Sequence, residues 1–139
     1  MNMKDLVGAF YMDIWNRGDL SAIPTLLRDD FTFRGSLGTE RRGHAGFAAY
    51  VEMVRGALGD YRCDVLDLVA DDRRAFARMR FSGVHVGEFL GYAPSHKRVE
   101  WIGAALFTTG DDGRISDLWV LGDTQALTTQ LDANARSES

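Results

Sequence analysis

The hydrophobic period of this 139-residue chain changes once, at Gly59-Asp60, and that switch sets the fold class. Before it, Leu6, Phe10 and Ile14, flanked by Val7, Tyr11 and Trp15, recur at helical spacing. Phe47, Val51 and Val54, flanked by Tyr50 and Met53, do the same further on. After it, four segments alternate with period two: CDVLDLVA, RAFARMRFSGVH, RVEWIGAALF and RISDLWVLGD. Asp71-Asp72 and Asp111-Asp112-Gly113 supply turn chemistry between them and favour antiparallel hairpins. Helices followed by a strand meander predict an α+β fold, not a parallel βαβ array.

Local punctuation refines the helical half. Asn16-Arg17-Gly18 ends the first helix, with Gly18 suited to a left-handed cap. Ser21 is placed to cap a second helix over SAIPTLLRDD, where Pro24 falls in the first turn and its missing N–H costs nothing. FTFRG, Phe31 to Gly35, reads as a short strand, and the polar, Gly-rich stretch after it as a loop. A third helix is expected from about His44 to Ala57. Residues 1–133 form one expected domain, and 134–139 an expected frayed tail.

Composition narrows the function. The net charge of −4 and the scattered Lys and Arg argue against a nucleic-acid partner. Cys63, the single cysteine, has no internal disulfide partner and reads as a buried spectator thiol in a reducing, cytoplasmic setting. The N-terminus has no long apolar core and no run of 18 apolar residues occurs, so neither an export signal nor a membrane span is expected. The three histidines lack metal-site spacing, and no nucleophile elbow, phosphate loop or dinucleotide fingerprint is present.

Several blocks then stand in a telling order: Asn16-Arg17-Gly18-Asp19, Asp29-Asp30-Phe31, Gly83 to Gly91 (GVHVGEFLG) with Pro94, Asp112-Gly113-Arg114-Ile115, Trp119, Asp123 and Gln130-Leu131. In these the chain resembles the SnoaL-like polyketide cyclases of the nuclear transport factor 2-like superfamily. It departs at Pro94-Ser95-His96-Lys97, where the family usually has Pro-Thr-Gly-Lys. The resemblance implies a cone: a curved antiparallel sheet wrapped by three N-terminal helices around a pocket. It also implies a homodimer through the outer face of the sheet and no metal or organic cofactor. The implied activity is ring closure of a polyketide-like or polycyclic small molecule by aldol condensation, with Asp123 as acid/base.

Alternation offers an independent view of the site. His85 shares a strand face with Ala75, Ala77, Met79 and Phe81, a small, apolar set suited to a pocket. Trp119, Leu121 and Asp123 share another. If both faces point inward, His85 and Asp123 meet, and apolar neighbours would raise the carboxyl toward a working pKa. The catalytic candidates are thus Asp123 and His85. Tyr11, Trp15, Tyr50, Phe81, Trp101 and Trp119 are candidate substrate-binding walls. Asp123 could equally N-cap the segment TQALTTQL, and His85 could be a buried strand-end histidine. His44 and His96 read as solvated.

Other branches of the superfamily fit less well. YMDIWNRGD is similar to the opening helix of the ketosteroid isomerases, which would make Tyr11 an oxyanion donor. The position of their proton-shuttling Asp falls on Gly35, so that base is missing. Limonene-type epoxide hydrolases need an Arg flanked by two carboxylates, and ARMRF has no adjacent acid. A non-catalytic small-molecule binding module of the same fold is the alternative from another class. The glycine-punctuated segment Gly87 to Gly91 is expected to bend over the pocket mouth.

Overall fold

The structure, a computed structural model, describes residues 1–137. Helix α1 (Met3–Ala9) starts at Asn2, whose side chain accepts the N–H of Asp5 at 2.8 Å. It continues into a π-helical segment, Phe10–Asn16, that buries Phe10, Tyr11, Ile14 and Trp15. Gly18 closes the helix at φ +70°, as the sequence predicts, and the Arg55 side chain fills the space a Cβ would need there.

The second helix is much shorter than the sequence suggests. Asp19, not Ser21, is the cap: it accepts the N–H of Ser21 at 3.1 Å and starts a 3₁₀ turn, Leu20–Ala22. Helix α2 is only Ile23–Leu26, with Pro24 in its first turn. The chain then enters strand β1 (Leu27–Arg34), which begins four residues ahead of the expected Phe31. Tertiary pairing wins over local propensity, because β1 lies parallel to β6 (Ile115–Gly122) and Leu27 pairs with Ile115.

Strand β2 (Glu40–Arg42) lies within the stretch read as loop and pairs with β1. Helix α3 (Gly43–Ala57) follows, with Phe47, Tyr50, Val51 and Val54 buried. Strands β3 (Leu58–Ala70), β4 (Arg74–His85) and β5 (Arg98–Thr109) complete the sheet. Its order is β2-β1-β6-β5-β4-β3, and every pair except β1–β6 is antiparallel. Irregularities between Gly59 and Arg62, and between Val65 and Asp67, interrupt the β3–β4 ladder, and such bulges bend a long ribbon. The result is a curved, open α+β sheet with helices on its concave face. A fourth helix, α4 (Thr124–Arg136), lies beyond the three expected ones and carries the chain through residues 134–136, the first part of the expected tail. Glu138 and Ser139 lie outside the described residues.

Phe10, Phe47 and Phe107 anchor one end of the interior, with Phe10 5.7 Å from Phe47 and 5.4 Å from Phe107 between ring centroids. All three rings are fully buried, each stabilising the fold by roughly 2 kcal/mol.

The blocks that carry the family resemblance serve this architecture. Asn16 accepts the Cys63 N–H at 2.7 Å and donates to the Cys63 carbonyl at 3.1 Å, clamping the π-helical segment to β3. Arg114 donates to Asp112 at 2.9 Å and to the Pro24 carbonyl at 3.1 Å, joining the β5–β6 turn to α2. Gln130 accepts the Glu100 N–H at 2.9 Å and donates to its carbonyl at 2.6 Å. It thereby satisfies the backbone of β5 where β6 has already ended.

Candidate functional site

Between the helices and the concave face of the sheet lies a narrow cavity of about 410 Å³, counting the solvent space at its mouth. With the rings of its lining in this arrangement it has room for about two water molecules, so a larger ligand enters by parting the rings. Tyr11 and Trp15 come from the π-helical segment, Tyr50 and Val54 from α3, and Tyr61 from β3. Phe81, Trp101, Leu118 and Val120 come from the sheet, and the half-buried Ser36 and Leu37 from the β1–β2 loop. Every side chain in this lining is uncharged, so the cavity favours apolar, aromatic matter with few polar contacts.

Glycines keep it open. A Cβ on Gly103 would sit 2.4 Å from Phe81 Cε2, and one on Gly35 would sit 2.9 Å from the Tyr50 hydroxyl. A Cβ on Gly122 would collide with Ser36 Cβ at 2.7 Å. The packed rings include Phe81 and Trp101, 5.2 Å apart, and Trp15 and Tyr61, 5.3 Å apart.

The polar atoms are mostly phenols. Burial drives the Tyr11 and Tyr61 hydroxyls well above the ordinary 10.0, and that of Tyr50 up to about 12, so all three are neutral donors at physiological pH. The Tyr11 hydroxyl faces Met79 Sδ at 3.7 Å. The buried indole N–H of Trp101 has no partner.

Tyr11, Trp15, Tyr50, Phe81 and Trp101 therefore converge as the sequence suggests. Trp119 does not join them: it is 40% exposed on the outer face, beneath the Arg34 guanidinium at 5.9 Å. The expected phase of β6 is reversed, because Leu118 and Val120 face inward while Trp119 and Leu121 face out. Both alternating sets in ISDLWVLGD are apolar. The outward set, however, also carries Asp117 and Asp123, a signal that could have decided the phase.

Asp123 is exposed, and its carboxylate accepts the N–H of Ala126 at 3.0 Å as the N-cap of α4. His85 is 1% exposed on the inward face of β4, as its alternation implies, but it lies outside the cavity lining. Its ring packs near Phe89 at 6.4 Å and neither ring nitrogen has a partner. The two residues are thus held in different surroundings. Val86 and Gly87 donate backbone N–H groups to the Ala57 carbonyl, so the segment after β4 seals the end of α3. His44, expected in solvent, instead reaches the Leu27 carbonyl with Nε2 at 2.9 Å. Residues missed in the sequence reading, notably Tyr61, Ser36 and Leu37, gave no periodic signal: one stands near a β-bulge and the others in a loop.

Among the described residues, no group of three His, Cys, Asp or Glu side chains is arranged to hold a metal ion. Nor is any helix among them long and apolar enough to cross a membrane.

Comparison with known proteins fits this geometry. The profile of the SnoaL-like polyketide cyclases matches residues 5–131, and the chain belongs to that family. Among solved structures, TsrD from Streptomyces laurentii is 28% identical, with a TM-score of 0.80 over 92% of each chain. AclR from Streptomyces galilaeus, provisionally assigned as a hydroxylase, is 25% identical with a TM-score of 0.79, covering 94% of this chain and 95% of that one. A SnoaL-like polyketide cyclase from Agrobacterium tumefaciens shares the fold at 22% identity and a TM-score of 0.78, over 94% and 98%. No curated protein sequence matches the chain significantly.

Proposed function

We propose that this protein acts on a polyketide-like or polycyclic aromatic small molecule, closing or isomerising a ring inside the aromatic cavity. The observation that carries this reading is the uncharged lining of rings around a narrow space, with phenolic hydroxyls as its polar contacts. Such walls hold a flexible, partly aromatic chain in a folded shape, so that reacting carbons meet; positioning of this kind lowers barriers substantially. Neutral Tyr donors favour an enolate or alkoxide oxygen as charge develops on it. Asp123 follows Gly122, whose Cβ direction points at Ser36 and Trp101 of the lining. For Asp123 to serve as acid/base it would release the Ala126 N–H and turn toward that end of the cavity.

The absence of any carboxylate or imidazole from the lining favours a second reading, a module that binds such molecules without converting them. Incubating the protein with enolisable polycyclic ketones separates the two. Solvent deuterium exchange at the α-carbon, lost in Asp123→Asn, supports catalysis. Saturable binding with no exchange supports the binding module.

We further propose that the protein is a homodimer through the outer face of the sheet. There Phe76 pairs across with Leu106, and Leu106 with Trp119, forming an apolar row over three strands. Ile102 and Leu121 extend it and are 41% and 53% exposed.

A further inference from the structure

The cavity's polar contacts are not evenly spread. Trp101 is buried, and its Nε1 is a shielded N–H with no acceptor in the protein. Leaving a buried donor unpaired costs on the order of 1–3 kcal/mol, so such a group is retained where something else completes it. Ser36 lines the same end of the cavity. Trp101 Nε1 and Ser36 Oγ stand 3.4 Å and 3.2 Å from the point where a Cβ on Gly122 would be. Gly122 has no positive φ that would demand glycine, so the backbone alone does not explain the residue. Close packing does: a Cβ there would sit 2.7 Å from Ser36 Cβ, so glycine lets the Ser36 segment come in against β6 at the Trp101 end of the cavity.

We propose that Trp101 and Ser36, brought to the same end of the lining by close packing at Gly122, form an oxygen-reading subsite, which fixes one carbonyl or phenolic oxygen of an uncharged, planar polycyclic ligand. This deepens the reading of the cavity as a small-molecule site and rests on it. The ligand is uncharged because no lining residue carries a compensating charge, and an isolated ion would be strongly disfavoured among these rings. Flat aromatic rings suit the cavity because its lining is made mostly of aromatic side chains, which such rings contact best. The ligand atom that Trp101 Nε1 meets is an acceptor, because an indole N–H can only donate, and in a polyketide-like molecule that acceptor is a carbonyl or phenolic oxygen.

The test uses two probes of the same shape, fluorenone and fluorene, which differ in one carbonyl oxygen. Equilibrium titrations on the intact chain are expected to show fluorenone binding about tenfold more tightly, the worth of a satisfied hydrogen bond of roughly 1.4 kcal/mol. Trp101→Phe keeps a ring in the wall and removes the N–H, so it should reduce the fluorenone-to-fluorene ratio to near one, whatever the change in affinity common to both probes. Ser36→Ala should lower the ratio in the same direction. Native near-ultraviolet circular dichroism and retained binding of both probes show that the variants are folded. A ratio near one in the unaltered protein, or a ratio that survives Trp101→Phe, overturns the subsite. If neither probe binds at all, the cavity reading itself fails, and the subsite with it.

Discussion

The Asp123 carboxylate accepts the backbone N–H of Ala126 at 3.0 Å, and the same carboxylate is the residue that family resemblance marks for acid/base chemistry. Asn caps helices about as well as Asp, whereas Ala does not. Asp123→Asn should therefore leave stability within about 0.5 kcal/mol, and Asp123→Ala should lose about 1 kcal/mol by urea denaturation. If turnover depends on the carboxyl, both variants lose it. If only Asp123→Ala loses function, and in proportion to its lost stability, the cap is the whole role of Asp123.

Tyr11, Tyr50 and Tyr61 should resist ionisation while the protein is folded. Burial raises all three, that of Tyr50 to about 12, against an ordinary 10.0 when unfolded. Between those values the unfolded chain has released protons that the native state still holds. Stability is accordingly full below about pH 10 and falls as pH rises beyond it. Tyrosinate absorbance at alkaline pH should appear together with loss of near-ultraviolet circular dichroism. Tyrosinate signal from these residues in a still-native protein would contradict the burial.

His96 stands where the family usually has glycine, and its backbone is held at φ +59°. The conformation is imposed by the end of the β4–β5 ribbon, where the His96 N–H donates to the His85 carbonyl at 2.8 Å. A non-glycine residue in that region costs on the order of 1–2 kcal/mol. Glycine relieves that cost but adds freedom to the unfolded chain, which offsets part of the gain. His96→Gly should stabilise the protein by about 0.5–1 kcal/mol in urea denaturation, and a loss of stability would show that the imidazole itself contributes.

The outer face predicts an assembly. Light scattering should give a mass near twice 15.5 kDa, and Leu121→Asp should shift it toward a single chain by burying a charge in an apolar contact. Because Leu121 is more than half exposed in the single chain, the variant should keep its native circular dichroism. A single-chain mass for the unaltered protein would remove the dimer.

Sequence periodicity marked β4 at its observed bounds, Arg74–His85, and placed α3 to within a residue of its start. These elements read clearly because apolar and small residues fill one face while charged residues mark the other. The blocks around Asn16, Arg114 and Gln130 also revealed the family, since they are hydrogen-bonded staples that need particular side chains. The aromatic walls were legible for a simpler reason: large rings at inward positions of helices and strands have few other places to go.

What only the tertiary structure decided is phase, pairing and the site's polar end. Leu118 and Trp119 are both apolar, so period two alone left the inward face of β6 open until pairing with β5 fixed it. Leu27 belongs to a strand because Ile115, far along the chain, lies beside it. Ser36, Gly122 and the unpaired Trp101 N–H come from three separate segments, and no local pattern joins them. Periodicity is a property of neighbours in sequence, while a binding cavity is made by residues that meet only when the sheet curves around the helices.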